Sequence, residues 1–199
     1  MIMYTKLFST VLTAAVLTVV PATPLIANAA QTPNTTSTTA TVGLKAGTNG
    51  SEGPLSFKSA PNIAFASDIT LNGASQTVSA QTVDAPVSVS DLRGTGAGWD
   101  VSVTRTAFQT ADGSHTLNGV LTLPAGTASA TANDSKAPTT NQVVVNDQAA
   151  SVESAATGSG LGSWDDTLDA KGVTLQIPNG AYAGAYTSTL TWTLADAPK

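Results

Sequence analysis

Apolar and polar residues alternate strictly over the C-terminal stretch Tyr186–Leu194, the clearest structural signal in the chain. Tyr186, Ser188, Leu190, Trp192 and Leu194 share one side of an extended backbone, and Thr187, Thr189, Thr191 and Thr193 share the other. Successive side chains of a strand point to opposite faces, so this spacing predicts a half-buried strand with a threonine ladder facing outward. The same period runs through Trp99, Val101 and Val103, with Asp100, Ser102 and Thr104 opposite. Within Trp99–Phe108 it predicts a second strand. Shorter apolar runs predict strands near Leu55–Lys58, Asn62–Ala66, Gln76–Val83, Val87–Ser90, Thr116–Leu123, Val143–Val145 and Val173–Ile177. Turn residues punctuate them at Asn72-Gly73, Asp112-Gly113, Asn118-Gly119, Pro124-Ala125-Gly126 and Pro178-Asn179-Gly180. Only Ala149–Ala156 suggests a short helical turn. About nine short strands with regular turns predict an all-β fold, either a β-sandwich or a partly closed β-barrel.

The N-terminus follows another pattern. Lys6 precedes an uncharged apolar run from Leu7 to Val20, then come Pro21, Pro24 and the small residues Ala27-Asn28-Ala29. This predicts a signal peptide over residues 1–29, cleaved between Ala29 and Ala30. An uncleaved membrane anchor would need roughly twenty apolar residues, more than this run supplies. Residues 30–41 hold no charge and no large apolar side chain, which predicts a flexible Thr-rich leader. Residues 42–199 are then enough for one domain with one core.

Composition narrows the setting. The chain has no cysteine, which removes both disulfides and a lipid-bearing anchor. Export without cysteine fits a bacterial surface protein. Leu123-Pro124-Ala125-Gly126-Thr127 has the wrong residue order for a sortase signal. The chain is therefore expected to be either released or held by non-covalent contacts. The formal net charge is −5, and loss of Lys6 with residues 1–29 makes it −6. An acidic chain without a basic cluster is a poor ligand for nucleic acid, anionic lipid or the phosphates of teichoic acids. With 11% of residues charged, recognition should rest on aromatic, amide and hydroxyl groups.

The segment Tyr186-x-x-x-Leu190-Thr191-Trp192-x-Leu194-x-x-x-Pro198 resembles the distal motif of the WxL cell-wall-binding domain of Gram-positive bacteria. Asp91-Leu92-Arg93-Gly94-Thr95-Gly96-Ala97-Gly98-Trp99 resembles the glycine-rich approach to that family's proximal motif. Trp164 after Gly162, Ile177-Pro178 and Gly184 also fit. The proximal motif departs at Trp99-Asp100-Val101, where Val stands in place of Leu. The resemblance spans Val42 to Pro198. It implies a surface protein held non-covalently on the wall, through peptidoglycan or another wall glycan. It also implies assembly with other WxL proteins and a membrane-anchored companion. The alternative is a structural subunit of a surface complex that binds such a companion or a host ligand.

The candidate wall-binding residues are Trp99, Val101, Trp164, Tyr186, Trp192 and Leu194. An exposed indole stacks on the apolar face of a pyranose ring, whereas a buried one fills a core, and strand alternation already accounts for Trp99 and Trp192. Gly94-x-Gly96-x-Gly98 lacks the Lys-Ser/Thr of a P-loop and leads into a strand, so a tight turn or bulge beneath Trp99 is expected. His115 follows Asp112-Gly113-Ser114 and reads as a solvated loop residue. Asp165-Asp166 with Asp169 lacks calcium-loop spacing and reads as a solvated acidic turn. Nothing marks a catalytic carboxylate pair. The expectation is a binding protein, not an enzyme, with no cofactor and no metal.

Overall fold

The computed structural model describes residues 38–48, 53–131 and 135–196. The chain divides into two units, Met1–Val42 and Gly43–Lys199. In the first, residues 38–42 are exposed and carry no regular structure. The expected signal peptide and most of the expected leader lie outside the described residues.

Among the described residues every regular element is a strand. In chain order these are β1 (Leu55–Ser59), β2 (Ile63–Ala64), β3 (Gln76–Ser79), β4 (Thr82–Val83), β5 (Val87–Asp91), β6 (Trp99–Arg105), β7 (Phe108–Thr110), β8 (Thr116–Leu117) and β9 (Val120–Leu123). There follow β10 (Thr127–Ala130), β11 (Thr139–Thr140), β12 (Val143–Val145), β13 (Ala150–Ala155), β14 (Gly162–Thr167), β15 (Thr174–Ile177), β16 (Tyr186–Thr187) and β17 (Leu190–Ala195). Three four-stranded sheets run in the orders β1-β5-β14-β10, β11-β13-β6-β17 and β12-β9-β15-β3. A three-stranded sheet β16-β7-β8 and the pair β2-β4 complete the set, and among the described residues no sheet closes into a barrel.

The all-β class follows the pattern read from the chain, but the described residues form seventeen strands where about nine were expected. Some expected strands split. Tyr186–Leu194 keeps its in/out alternation throughout, yet pairing breaks at Ser188-Thr189, where Ser188 Oγ donates to Thr106 O (2.7 Å) and Thr189 N to Thr106 Oγ1 (2.9 Å). Others had no local signal. Ala149–Ala156, read as a helical turn, is the strand β13, which lies between β11 and β6. Its Ala and Glu residues favour helix weakly, and the cross-strand partners override that preference.

Two apolar clusters fill the interior. The larger gathers Val103, Phe108, Leu121, Leu123, Val152 and Leu175 with their neighbours. The smaller comprises Val87, Val89, Trp99, Val101, Ala155 and Trp164. Strand β6 serves both, since Val103 belongs to the first and Trp99 and Val101 to the second. Trp192 packs against both.

Candidate functional site

The two tryptophan motifs form one structural unit. β6 and β17 are antiparallel neighbours, with Trp192 opposite Val103, Leu194 opposite Val101 and Ala195 opposite Asp100. On the other flank of β6, Trp99 lies opposite Ala155. The valine at position 101 is fully buried beside Leu194.

The six candidate residues separate by depth. Trp99 and Val101 are fully buried and Trp164 nearly so. Trp99 Nε1 donates to Gly160 O at 3.1 Å and Trp164 Nε1 to Leu161 O at 3.0 Å, so both indoles are also satisfied internally. Tyr186, Trp192 and Leu194 are half-buried. β17 is the edge of its sheet, with Thr191 and Thr193 exposed and no charged residue along it.

The glycine-rich approach to Trp99 is a tight turn. Gly94, Gly96 and Gly98 all have positive φ (69°, 64° and 84°), a conformation that suits residues without a Cβ. Gly96 O accepts from Gly158 N at 2.9 Å, joining this turn to the one that carries Gly160. Arg93 locks the arrangement. Its Nε and Nη2 bind Asp91 at 2.9 and 2.8 Å, Nη2 also donates to Gly98 O at 2.8 Å, and Nη1 pairs with Asp196 just beyond β17. The Asp91 hydrogen bonds hold the guanidinium above its ordinary pKa. Sequence reading missed Asp91 and Arg93 as a clamp, because the Asp196 partner is distant along the chain.

An open groove of about 720 Å³ adjoins the start of the C-terminal motif. Its floor is the larger core cluster, including Phe108, Leu121 and Leu175, and Phe65 and Ile69 form one wall. The segment Ala181–Ser188 forms the other, with Tyr182 65% exposed. Tyr182 stacks on His115, with ring centroids 4.4 Å apart and planes 15° from parallel. Tyr186 Oη donates to Tyr182 O at 3.0 Å, which ties that wall to β16. His115 is therefore half-buried against an aromatic ring rather than fully solvated. Asp112 sets its loop: its carboxylate accepts from Thr110 Oγ1 (2.6 Å) and Ser114 N (3.1 Å), bonds that lower its pKa to about 2. Volume and apolar lining match those of ligand-binding clefts.

Among the described residues no group of three or more His, Cys, Asp or Glu side chains could hold a metal ion. The aromatic groove is suited to non-covalent recognition.

The family model described as "WxL domain surface cell wall-binding" matches residues 19–198, nearly the whole chain. The chain belongs to the WxL family. No curated protein and no solved structure matches it. The WxL chain is thus a surface protein that binds components of the cell wall. Its tryptophan motifs lie on adjoining strands, and the groove opens where the second motif begins.

Proposed function

We propose that this WxL protein attaches to the wall without a covalent bond by seating peptidoglycan in the groove beside Tyr182 and Tyr186. The carrying observation is that groove: about 720 Å³, mostly apolar, and bordered by an exposed tyrosine stacked on His115. Peptidoglycan offers pyranose CH faces together with acetyl and alanyl methyl groups, which suit aromatic and aliphatic walls. Anionic wall polymers suit it poorly, since the chain has a net charge of −5. In this reading Trp99, Val101 and Trp164 act by building the core that shapes the surface, Tyr186 lines the groove, and Trp192 and Leu194 support it from β17 by packing on the core beneath. The domain is residues 42–199, exported by the signal peptide 1–29 and set off by the leader 30–41. It performs no catalysis.

The test is co-sedimentation of the purified chain with sacculi stripped of teichoic acid. The wild-type chain should pellet and be released by a denaturing wash. Tyr182→Ala should lower the bound fraction several-fold while leaving the melting temperature nearly unchanged, because exposed side chains contribute little to stability (within about 0.5 kcal/mol). Failure of the folded wild-type chain to pellet above background would exclude this reading.

One observation favours a second reading. Among the described residues β17 is an uncharged sheet edge with no second strand beside it, the kind of surface on which a companion protein's strand can pair. On that reading sacculi alone fail to retain the chain, and retention appears when the companion is added.

A further inference from the structure

Two carboxyl groups lie inside the smaller half of the sandwich, on different sheets. Glu153 is on β13 and Asp166 on β14, and neither side chain is accessible to solvent. A bulge between Ser151 and Glu153 sets Glu153 opposite Val101, the buried valine of the proximal motif. Asp166 lies opposite Val87, which belongs to the same apolar cluster. A backbone link brings the two neighbourhoods together. Thr140, opposite Glu153, donates its hydroxyl to Gly126 O at 2.8 Å, and Gly126 packs so closely on the Asp166 carboxyl that a Cβ there would overlap it. Among the described residues none of the four carboxyl oxygens has a hydrogen-bond partner.

An ionised carboxylate in such a place is strongly disfavoured unless paired. The charged groups on the surrounding strands offer no cation. On β14, Asp165 accepts from Ser88. On β6, Asp100 accepts from Ser151, and at the strand's far end Arg105 is bound to Val145 O (2.8 Å) and Gly119 O (2.7 Å). On β5, Asp91 is held by Arg93. Strands β10 and β11 carry no ionisable side chain.

We propose that Glu153 and Asp166 form a proton-dependent latch between the two sheets, in which a shared proton makes one carboxyl the donor and the other the acceptor, so that the domain is most stable in acidic medium and loosens as the medium turns alkaline. Sharing a proton satisfies two otherwise orphaned groups and avoids placing two like charges together. Burial, reinforced by the charges of Asp166 and Asp165, pushes Glu153 up to about 8, and burial pushes Asp166 up to about 6. Both groups hold their protons to higher pH in the native state than in the unfolded one, so the native state binds more protons in the window between, and stability falls as pH rises. The loss runs from the ordinary carboxyl range to about 6 for Asp166 and to about 8 for Glu153. A wall-bound domain meets the medium directly, which exposes the latch to external pH.

Thermal unfolding of the full chain from about pH 5 to about pH 9 tests this. The wild-type melting temperature should fall by several degrees across the range. Glu153→Gln should remove most of the fall, and Asp166→Asn the part below about pH 6. Asp68→Asn, the same charge change at an exposed acid, should leave the slope intact. Infrared spectra supply a readout independent of whether the variants fold: wild-type protein should show the C=O stretch of a protonated carboxyl at neutral pH, lost on raising the pH. A flat wild-type profile, a slope in Glu153→Gln equal to that of wild type, or absence of the protonated-carboxyl band at neutral pH would each overturn the proposal.

Discussion

Trp99→Ala is expected to lower the stability of the domain by about 3–5 kcal/mol, the usual range for removing a fully buried aromatic side chain. Small domains are stable by only about 5–15 kcal/mol, so this one truncation would take a large share of the margin. Two features put Trp99 at the severe end. Its ring is fully buried in the small cluster shared by β5, β6, β13 and β14, so truncation opens a cavity inside the core. Its Nε1 also satisfies Gly160 O, which would be left without that donor. Trp99→Phe separates the two contributions, because it keeps most of the apolar fill and deletes the hydrogen bond, for a loss of about 1–3 kcal/mol. Denaturant unfolding followed by circular dichroism checks both. A Trp99→Ala chain with a wild-type midpoint would show that the indole is not structural. Loss of wall binding in this variant would report loss of the fold, unlike the same loss in Tyr182→Ala.

The second large effect is expected at Gly160. Its φ is +70°, and an added Cβ would strike Ala155 Cβ and approach Trp99 Nε1 to 2.7 Å. A left-handed backbone disfavours alanine by roughly 1–2 kcal/mol, and overpacking a tight core adds about 1–3 kcal/mol. Gly160→Ala should therefore cost about 2–5 kcal/mol. Gly98→Ala should fall in the same range, since φ there is +84° and the new methyl would collide with Ala155 O. Gly94 is the internal control: its φ is +69°, but nothing lies near the added Cβ. Gly94→Ala should show the backbone contribution alone, about 1–2 kcal/mol. The three midpoints measured side by side decide the matter. Equal losses in all three would mean that backbone conformation, not packing against Trp99, sets the requirement for glycine.

Together these effects give the family motif a physical meaning. Trp99, the glycines around it and the Arg93 clamp form one assembly, in which the indole is the packing centre and the glycines are the clearance it needs. Arg93 then joins that assembly to Asp196 at the end of β17. The two W-x-aliphatic segments are far apart in sequence but adjacent in register.

Residues with strong local periodicity were legible in advance. The alternation at Tyr186–Leu194 is reproduced position by position, half-buried on one side and exposed on the other, even though pairing is interrupted at Ser188-Thr189. The turn-forming role of Gly94, Gly96 and Gly98 was likewise visible, because glycine spacing and a following strand leave few alternatives. The acidic stretch Asp165-Asp166 was not. Read as a solvated turn, it is part of β14, with Asp165 half-buried and Asp166 fully buried, because pairing with β5 and β10 overrides local polarity. β13 was hidden for the same reason. The groove could not be seen either, since Phe65, Phe108, Leu175 and Tyr182 come from separate parts of the chain.

The sequence by itself determined the all-β class, the apolar face of the C-terminal strand, the glycine turn before Trp99 and the resemblance to a wall-binding family. Each depends on residues within a few positions of one another, where pleat geometry and the absence of a Cβ act locally. Only the tertiary structure decided which indoles are buried, that β6 and β17 are neighbours, where the groove opens, and that Glu153 and Asp166 share an interior. Those are outcomes of strand pairing across long separations, in which register and burial depend on the whole sheet rather than on the neighbouring residues.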